Sequence, residues 1–70
     1  MGDIIEISTL TESDIGRWVI YKAGLEGEIG KIKSWNDIFI FVVYSCNDNW
    51  DKFQEYTAEA TEPNDLIYKT

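Results

Sequence analysis

The side chains of this sequence that could do chemistry are carboxylates and aromatic rings. Six acids, Asp48, Asp51, Glu55, Glu59, Glu62 and Asp65, fall within residues 45–70, against Lys52 and Lys69. Aromatic residues make up 14% of the chain, and three of them are tryptophans. Carboxylates move protons, hold hard cations or attract basic surfaces. Aromatic rings anchor a partner by burial or hold a cation against their faces. Histidine is absent and cysteine occurs once, at Cys46. A nucleophilic cysteine needs a base beside it, so Cys46 reads as a small, half-buried core residue. The same two facts remove zinc. Asp48-Asn-Trp-Asp51 lacks the alternating ligands and the glycine of a calcium loop. Gly24, Gly27 and Gly30 are not followed by a Lys-Ser/Thr pair, so they do not form a phosphate-binding loop. No pair of carboxylates is singled out for acid–base work. The expectation is therefore no enzyme, no cofactor and no metal.

Length and charge narrow the field further. Seventy residues make one domain with a small core and little room for a deep cleft. The net charge is −7, from 13 acids against 6 bases. A field of that sign repels phosphate backbones and favours basic partners, or simply keeps the chain soluble. One cysteine rules out an internal disulfide, which points to a reducing compartment. The start, Met1-Gly-Asp-Ile-Ile-Glu6, has an acid where a secretory leader needs positive charge. The longest apolar run, Ile38 to Tyr44, is seven residues and cannot span a membrane.

The elements that must position these groups are short strands. Residues 1–13 read as an N-terminal arm or a short strand, residues 3–7 being the stretch that could pair. Thr9-Leu-Thr-Glu12 fits a capping box, and Thr11-Glu-Ser-Asp14 fits it less well. Gly16 limits any helix there to one turn. Arg17 to Lys22 is a strand, Ala23 to Ile29 a mobile loop, and Glu28 to Trp35 a second strand. The apolar residues at 29, 32 and 35 have the wrong period for a flat strand, and Gly30 is the expected site of a bulge that shifts the phase. Asn36-Asp37 suits a two-residue type I′ hairpin turn. Ile38 to Tyr44 is β-branched or aromatic throughout, as in a central strand buried on both faces. Ile38, Ile40, Val42 and Tyr44 point one way, and Phe39, Phe41 and Val43 the other. Trp50, Phe53 and Tyr56 recur every third residue, which predicts a helical or 3₁₀ excursion near 49–56. Thr57–Thr61 is a short strand, Glu62–Asp65 a 3₁₀-type turn around Pro63, and Leu66–Lys69 a last strand.

This order, with Gly16-Arg-Trp-Val-Ile-Tyr21, Gly27-Glu-Ile-Gly-Lys-Ile-Lys33, Ile38 to Tyr44 and Ala60-Thr-Glu-Pro-Asn-Asp-Leu66, resembles an SH3-like barrel of the SH3, KOW and Tudor kind. The expected fold is thus all-β: a five-stranded SH3-like barrel forming a single domain over residues 1–70. From Asp14 to Tyr68 the chain also resembles small uncharacterised proteins encoded by bacteriophages and prophages. The carriers are the Gly16-Arg-Trp-Val start, the Gly30-Lys-Ile-Lys-Ser-Trp-Asn-Asp37 hairpin and the Trp50-Asp-Lys-Phe-Gln-Glu-Tyr-Thr57 segment. That resemblance implies a phage or prophage origin and action in the bacterial host cytoplasm.

A core this small cannot bury every ring, so some aromatics must lie at the surface, where they anchor partners. The second face of the central strand is covered by the 48–56 excursion, by the arm, or by a partner. The binding residues expected from the sequence are Trp35, Trp50, Phe53, Tyr56, Asp48, Asp51 and Glu55, acting on a basic surface of a host protein. An aromatic cage of Trp35, Tyr44, Trp50 and Asp51 for a cation is the sharper version. The acids admit three readings: a solvated face, a patch for a basic protein surface, or a mimic of nucleic-acid phosphate. Lys31 and Lys33 share a strand face that meets RNA in KOW-type barrels, but an ordinary solvated edge is the simpler reading. The expected function is non-enzymatic protein binding by a monomer or weak homodimer. A nucleic-acid-related role is the alternative, and a virion part the third.

Overall fold

The computed structural model describes residues 5–23 and 27–69. Its strands are β1 (Trp18–Tyr21), β2 (Glu28–Trp35), β3 (Ile40–Val43), β4 (Glu59–Thr61) and β5 (Leu66–Tyr68). Every pairing is antiparallel, and the sheet order is β4-β3-β2-β1-β5. Short 3₁₀ turns at Ile7–Thr9, Glu12–Asp14, Trp50–Glu55 and Pro63–Asp65 fill the connections. The result is an all-β, barrel-like fold measuring 28 × 27 × 20 Å. Among the described residues no helix is long and apolar enough to cross a membrane.

The alternation of the strands builds two cores. On the inner face, Val19, Ile32, Ile40, Val42 and Leu66 are sealed by Ile5 and Leu10 from the N-terminal arm. On the outer face, Val43 packs with Cys46 and Phe53, and Ile15, Trp50, Tyr56 and Ala58 close around them. β3 is therefore buried on both sides, as its unbroken apolar run predicts. The outer cover is the chain's own 3₁₀ segment, Trp50–Glu55. Lys33 ties that segment down by donating to the Tyr56 carbonyl at 2.8 Å. Cys46 is fully buried rather than half-buried, at 2% exposure.

The arm departs from its expected form. Asp3 and Ile4 lie outside the described residues, and Ile7–Thr9 is a 3₁₀ turn rather than the end of a strand. The capping arrangement forms at Thr11 and Asp14, not at Thr9 and Glu12. The Asp14 carboxylate accepts the Thr11 N–H at 3.0 Å and the Arg17 guanidinium at 3.2 Å. The Thr9 hydroxyl instead donates to the Glu6 carbonyl. The second box wins because Gly16, at φ +86°, ends the turn just after Asp14, and its N–H reaches the Ile32 carbonyl at 2.7 Å. Of the expected loop at 23–29, residues 24–26 lie outside the described part, and Glu28 and Ile29 already belong to β2.

The phase shift in β2 is real, but it lies at Lys33 and not at Gly30. Ile32 faces Val42 while Ser34 faces Phe41, so Lys33 is the extra residue of a bulge. This puts Ile32 and Trp35 on the same inner face and leaves Ile29 on the outer one. Gly30 serves a different need. A Cβ there would meet Val42 Cγ1 at 2.6 Å and the Val43 carbonyl oxygen at 2.7 Å. The absent side chain is what lets β2 and β3 close up.

The hairpin is also displaced by one residue. Asn36 N–H donates to the Phe39 carbonyl at 2.9 Å, so Asp37 and Ile38 form the tip. The Asn36 side chain accepts the N–H groups of Ile38 and Phe39 at 2.8 and 2.7 Å. Neither Asn36 nor Asp37 has positive φ, so this is not a type I′ turn. An asparagine side chain bonded to the backbone replaces it.

Candidate functional site

The site arises where the inner face of the sheet runs out at one end of the barrel. In β1 the inner residues are Val19 and then Tyr21, and antiparallel pairing sets Tyr21 opposite Glu28 of β2. Beyond Val42 and Val43, Tyr44 returns to the inner side. On β4, Glu59 pairs with Val42 and Thr61 with Ile40, so both follow the inner face. The 3₁₀ turn Pro63–Asp65 then brings Glu62 and Asp65 to the rim. These residues surround a mouth of about 320 Å³ lined by Tyr21, Glu28, Tyr44, Glu59, Ala60, Thr61, Glu62 and Asp65.

Two tyrosines form its aromatic wall. Their rings meet edge to face, with centroids 6.0 Å apart and an interplanar angle of 66°. The Tyr44 hydroxyl is locked to the Thr61 hydroxyl at 2.8 Å, and Thr61 also donates to the Glu59 carbonyl at 3.3 Å. Burial pushes the Tyr44 phenol above its ordinary value, the Thr61 bond works against that shift, and the charges of Glu59 and Glu28 add to it. The ring is thus neutral and fixed at neutral pH, a rigid flat surface rather than an acid–base group.

Four carboxylates line the mouth, and among the described residues no lysine or arginine does. Lys22 comes nearest along the chain, its N–H donating to the Asp65 carbonyl at 2.8 Å. The ion pair found among the described residues, Arg17 with Asp14, lies elsewhere. A concave site with charge of one sign concentrates its field. The negative faces of the tyrosine rings add to that field. The arrangement suits a cation that is also flat or aliphatic, such as a guanidinium or an alkylammonium. Among the described residues no three acidic or cysteine side chains converge as metal ligands would.

The residues expected from the sequence are not brought together. Trp35 is half-buried and packs on the inner core, whereas Trp50 and Tyr56 pack on the outer one. The cage of Trp35, Tyr44, Trp50 and Asp51 is therefore not assembled. Phe53 is buried at 9% exposure and is part of the cover, so it is not free to anchor a partner. Tyr56 is half-buried, and its hydroxyl accepts from Asn49 at 3.2 Å. Asp48, Asp51 and Glu55 are exposed. Asp48 and Asn47 take positive φ, at 65° and 52°, and so bend the chain into the 3₁₀ segment. Lys31 and Lys33 do share a face, but they are engaged rather than solvated. Lys31 lies over Trp18 and Phe53, at 4.7 and 5.3 Å from the ring centroids.

Sequence reasoning named Tyr44, Glu59, Glu62 and Asp65 among its candidates and Tyr21 among its aromatic rings, but did not bring Tyr21 or Glu28 to the site. Counting both strands from Val19 and Gly30, which face each other, would have found them. It also passed over an exposed apolar patch on the outer face, where Trp18, Ile29, Trp50 and Lys69 line a second hollow of about 310 Å³. Trp18 and Trp50 meet there edge to face at 4.8 Å.

Fold and site together define a small all-β module with an acidic, tyrosine-walled mouth. No protein-family model, no curated protein and no solved structure matches this chain.

Proposed function

We propose that this protein is a non-enzymatic binding module whose acidic mouth receives a basic segment of a partner protein. One observation carries the reading: four carboxylates and two tyrosines line the mouth with no cation among them. The strand order, in which the first strand is flanked by the second and the last, supports describing the fold as SH3-like. The resemblance of Asp14 to Tyr68 to phage and prophage proteins makes a bacterial host protein, met in the cytoplasm, the natural partner.

The energetics set a condition on that partner. A cation against a tyrosine face contributes about 0.5–2 kcal/mol, and each rim ion pair about 0.2–1 kcal/mol. One inserted side chain therefore falls well short of the roughly 8 kcal/mol of a micromolar complex. The partner must touch more than the mouth.

The test is a titration of wild type and Glu59→Gln/Glu62→Gln with a fluorescent peptide alternating arginine and valine, at low and at physiological salt. The reading predicts binding that weakens with salt and with the double substitution. Equal binding by both proteins would remove the mouth from the account.

A second reading has one observation in its favour. Lys31 and Lys69 lie beside Trp18 and Trp50 on the outer face, the combination that stacks and neutralises single-stranded nucleic acid. It predicts an electrophoretic shift of oligothymidine that Trp18→Ala abolishes.

A further inference from the structure

The mouth does not end at its rim; it opens onto a bare sheet edge. β4 pairs with β3 on one side, and among the described residues no strand lies on its other side. In an antiparallel ladder alternate residues turn both their N–H and C=O groups away from the partner strand. β4 therefore turns backbone groups outward within the same three residues, Glu59–Thr61, that form one wall of the mouth; of their carbonyls, that of Glu59 already accepts the Thr61 hydroxyl at 3.3 Å. Natural sheets guard such an edge by keeping it short or charged, or with a proline or an overlying loop. Here β4 is three residues long and carries the exposed, inward-facing Glu59, which disfavours a neutral strand and favours a basic one.

From this we infer that the partner segment binds as an added strand along β4, with alternate basic side chains entering the mouth. The inference rests on the proposed function and supplies what that reading lacked, a source of contact beyond the inserted side chain. An added strand would lie about 4.8 Å from β4 and keep its two-residue alternation. Every second side chain then continues the inner face beside Glu59 and Thr61, where Tyr21, Tyr44 and the carboxylates stand. The intervening side chains fall on the other face, beside Ala60 and its cross-strand neighbour Phe41, which is half-buried. The small Ala60 leaves space there. The occupant is thus a segment in which arginine or lysine alternates with apolar residues. Backbone bonds supply affinity and the mouth supplies selection, as in other cases of strand addition.

The experiment compares three capped hexapeptides that alternate arginine and valine. One is unmodified; the other two carry N-methyl groups on alternate amides, which keeps side chains and charge but blocks the ladder. Two successive registers of methylation cover both ways the peptide can face β4. Affinity is read by anisotropy, and amide hydrogen exchange is read at residues 59–61. The inference predicts that methylation in one register weakens binding about tenfold or more, and that the unmodified peptide slows exchange in β4. Equal affinity for the plain peptide and both methylated forms overturns strand addition while leaving the binding function intact. Weakening without protection of β4 overturns it too, because the blocked bonds would then lie elsewhere. Failure of every peptide to bind removes the proposed function along with the inference.

Discussion

Gly30→Ala is the sharpest test of how this sheet closes. The added methyl would sit 2.6 Å from Val42 Cγ1, 2.7 Å from the Val43 carbonyl oxygen and 3.0 Å from Tyr44 Cδ1. Carbon atoms in good contact are about 3.5–4.0 Å apart. Val42 can turn its side chain, but it is fully buried and has little space in which to do so. The Val43 carbonyl cannot yield without straining the β2–β3 ladder, in which Lys31 faces Val43. Overpacking of this kind costs about 1–3 kcal/mol, and the backbone clash puts this case at the upper end. The lower chain entropy of alanine in the unfolded state offsets roughly 0.4–1 kcal/mol. The net loss is about 2 kcal/mol, from a total of roughly 3.5–10 kcal/mol for a domain of this size. It corresponds to a fall in Tm of about 8–16 °C. Urea and thermal unfolding followed by circular dichroism would measure it. Val42→Ala in the same chain relieves one of the two closest contacts, so the double variant should be more stable than the sum of the two singles. A Gly30→Ala protein within about 0.5 kcal/mol of wild type, or a strictly additive pair, would refute the close approach of β2 and β3.

Phe53→Ala removes the ring that covers Val43 and Cys46 and should cost about 3–5 kcal/mol, a large part of the total, read as a steep fall in Tm, whereas the exposed Asp51→Lys should leave the melting curve unchanged. Tyr44 has its phenol raised chiefly by burial, so the unfolded chain loses that proton first. Stability is full below the unfolded value near 10.0 and falls as pH rises through the folded one, and Tyr44→Phe should flatten that alkaline loss in urea titrations. Asp14 is lowered chiefly by the Thr11 N–H, with Arg17 assisting. Its contribution is present above 3.8 and lost as pH falls through the folded value, so the gap in Tm between wild type and Asp14→Asn should shrink on acidification.

Much of the fold was legible because β propensity and period are local. The run from Ile38 to Tyr44 announced a strand buried on both faces, but only Ile40–Val43 forms it: Ile38 is taken into the hairpin tip and is 66% exposed instead of joining Ile40 and Val42. Pro63 marked the break before the last strand. The threefold spacing of Trp50, Phe53 and Tyr56 announced the 3₁₀ cover. The failures share a cause. Gly30 and Lys33 were confused because a bulge depends on what the partner strand presents, and Val42 and Phe41 decide it from across the ladder. The turn at Asn36 was misplaced because the asparagine side chain, rather than a left-handed backbone, closes the loop. The site was half legible. Glu59, Glu62 and Asp65 lie close together in sequence, but Tyr21 and Glu28 reach them through strand register, which no local pattern encodes. The tryptophans drew attention for their size, yet Trp35 and Trp50 belong to opposite faces of the sheet.

The tyrosine-walled mouth is the proposed binding surface. The most direct measurement is a two-dimensional NMR titration of the labelled protein with the arginine–valine hexapeptide, following backbone amides and aromatic rings together. The Tyr21 and Tyr44 rings and the amides of residues 59–65 should shift in concert, and the shifts should vanish in Glu59→Gln/Glu62→Gln. Shifts confined to Trp18, Ile29 and Trp50 on the outer face, with the mouth silent, would contradict it.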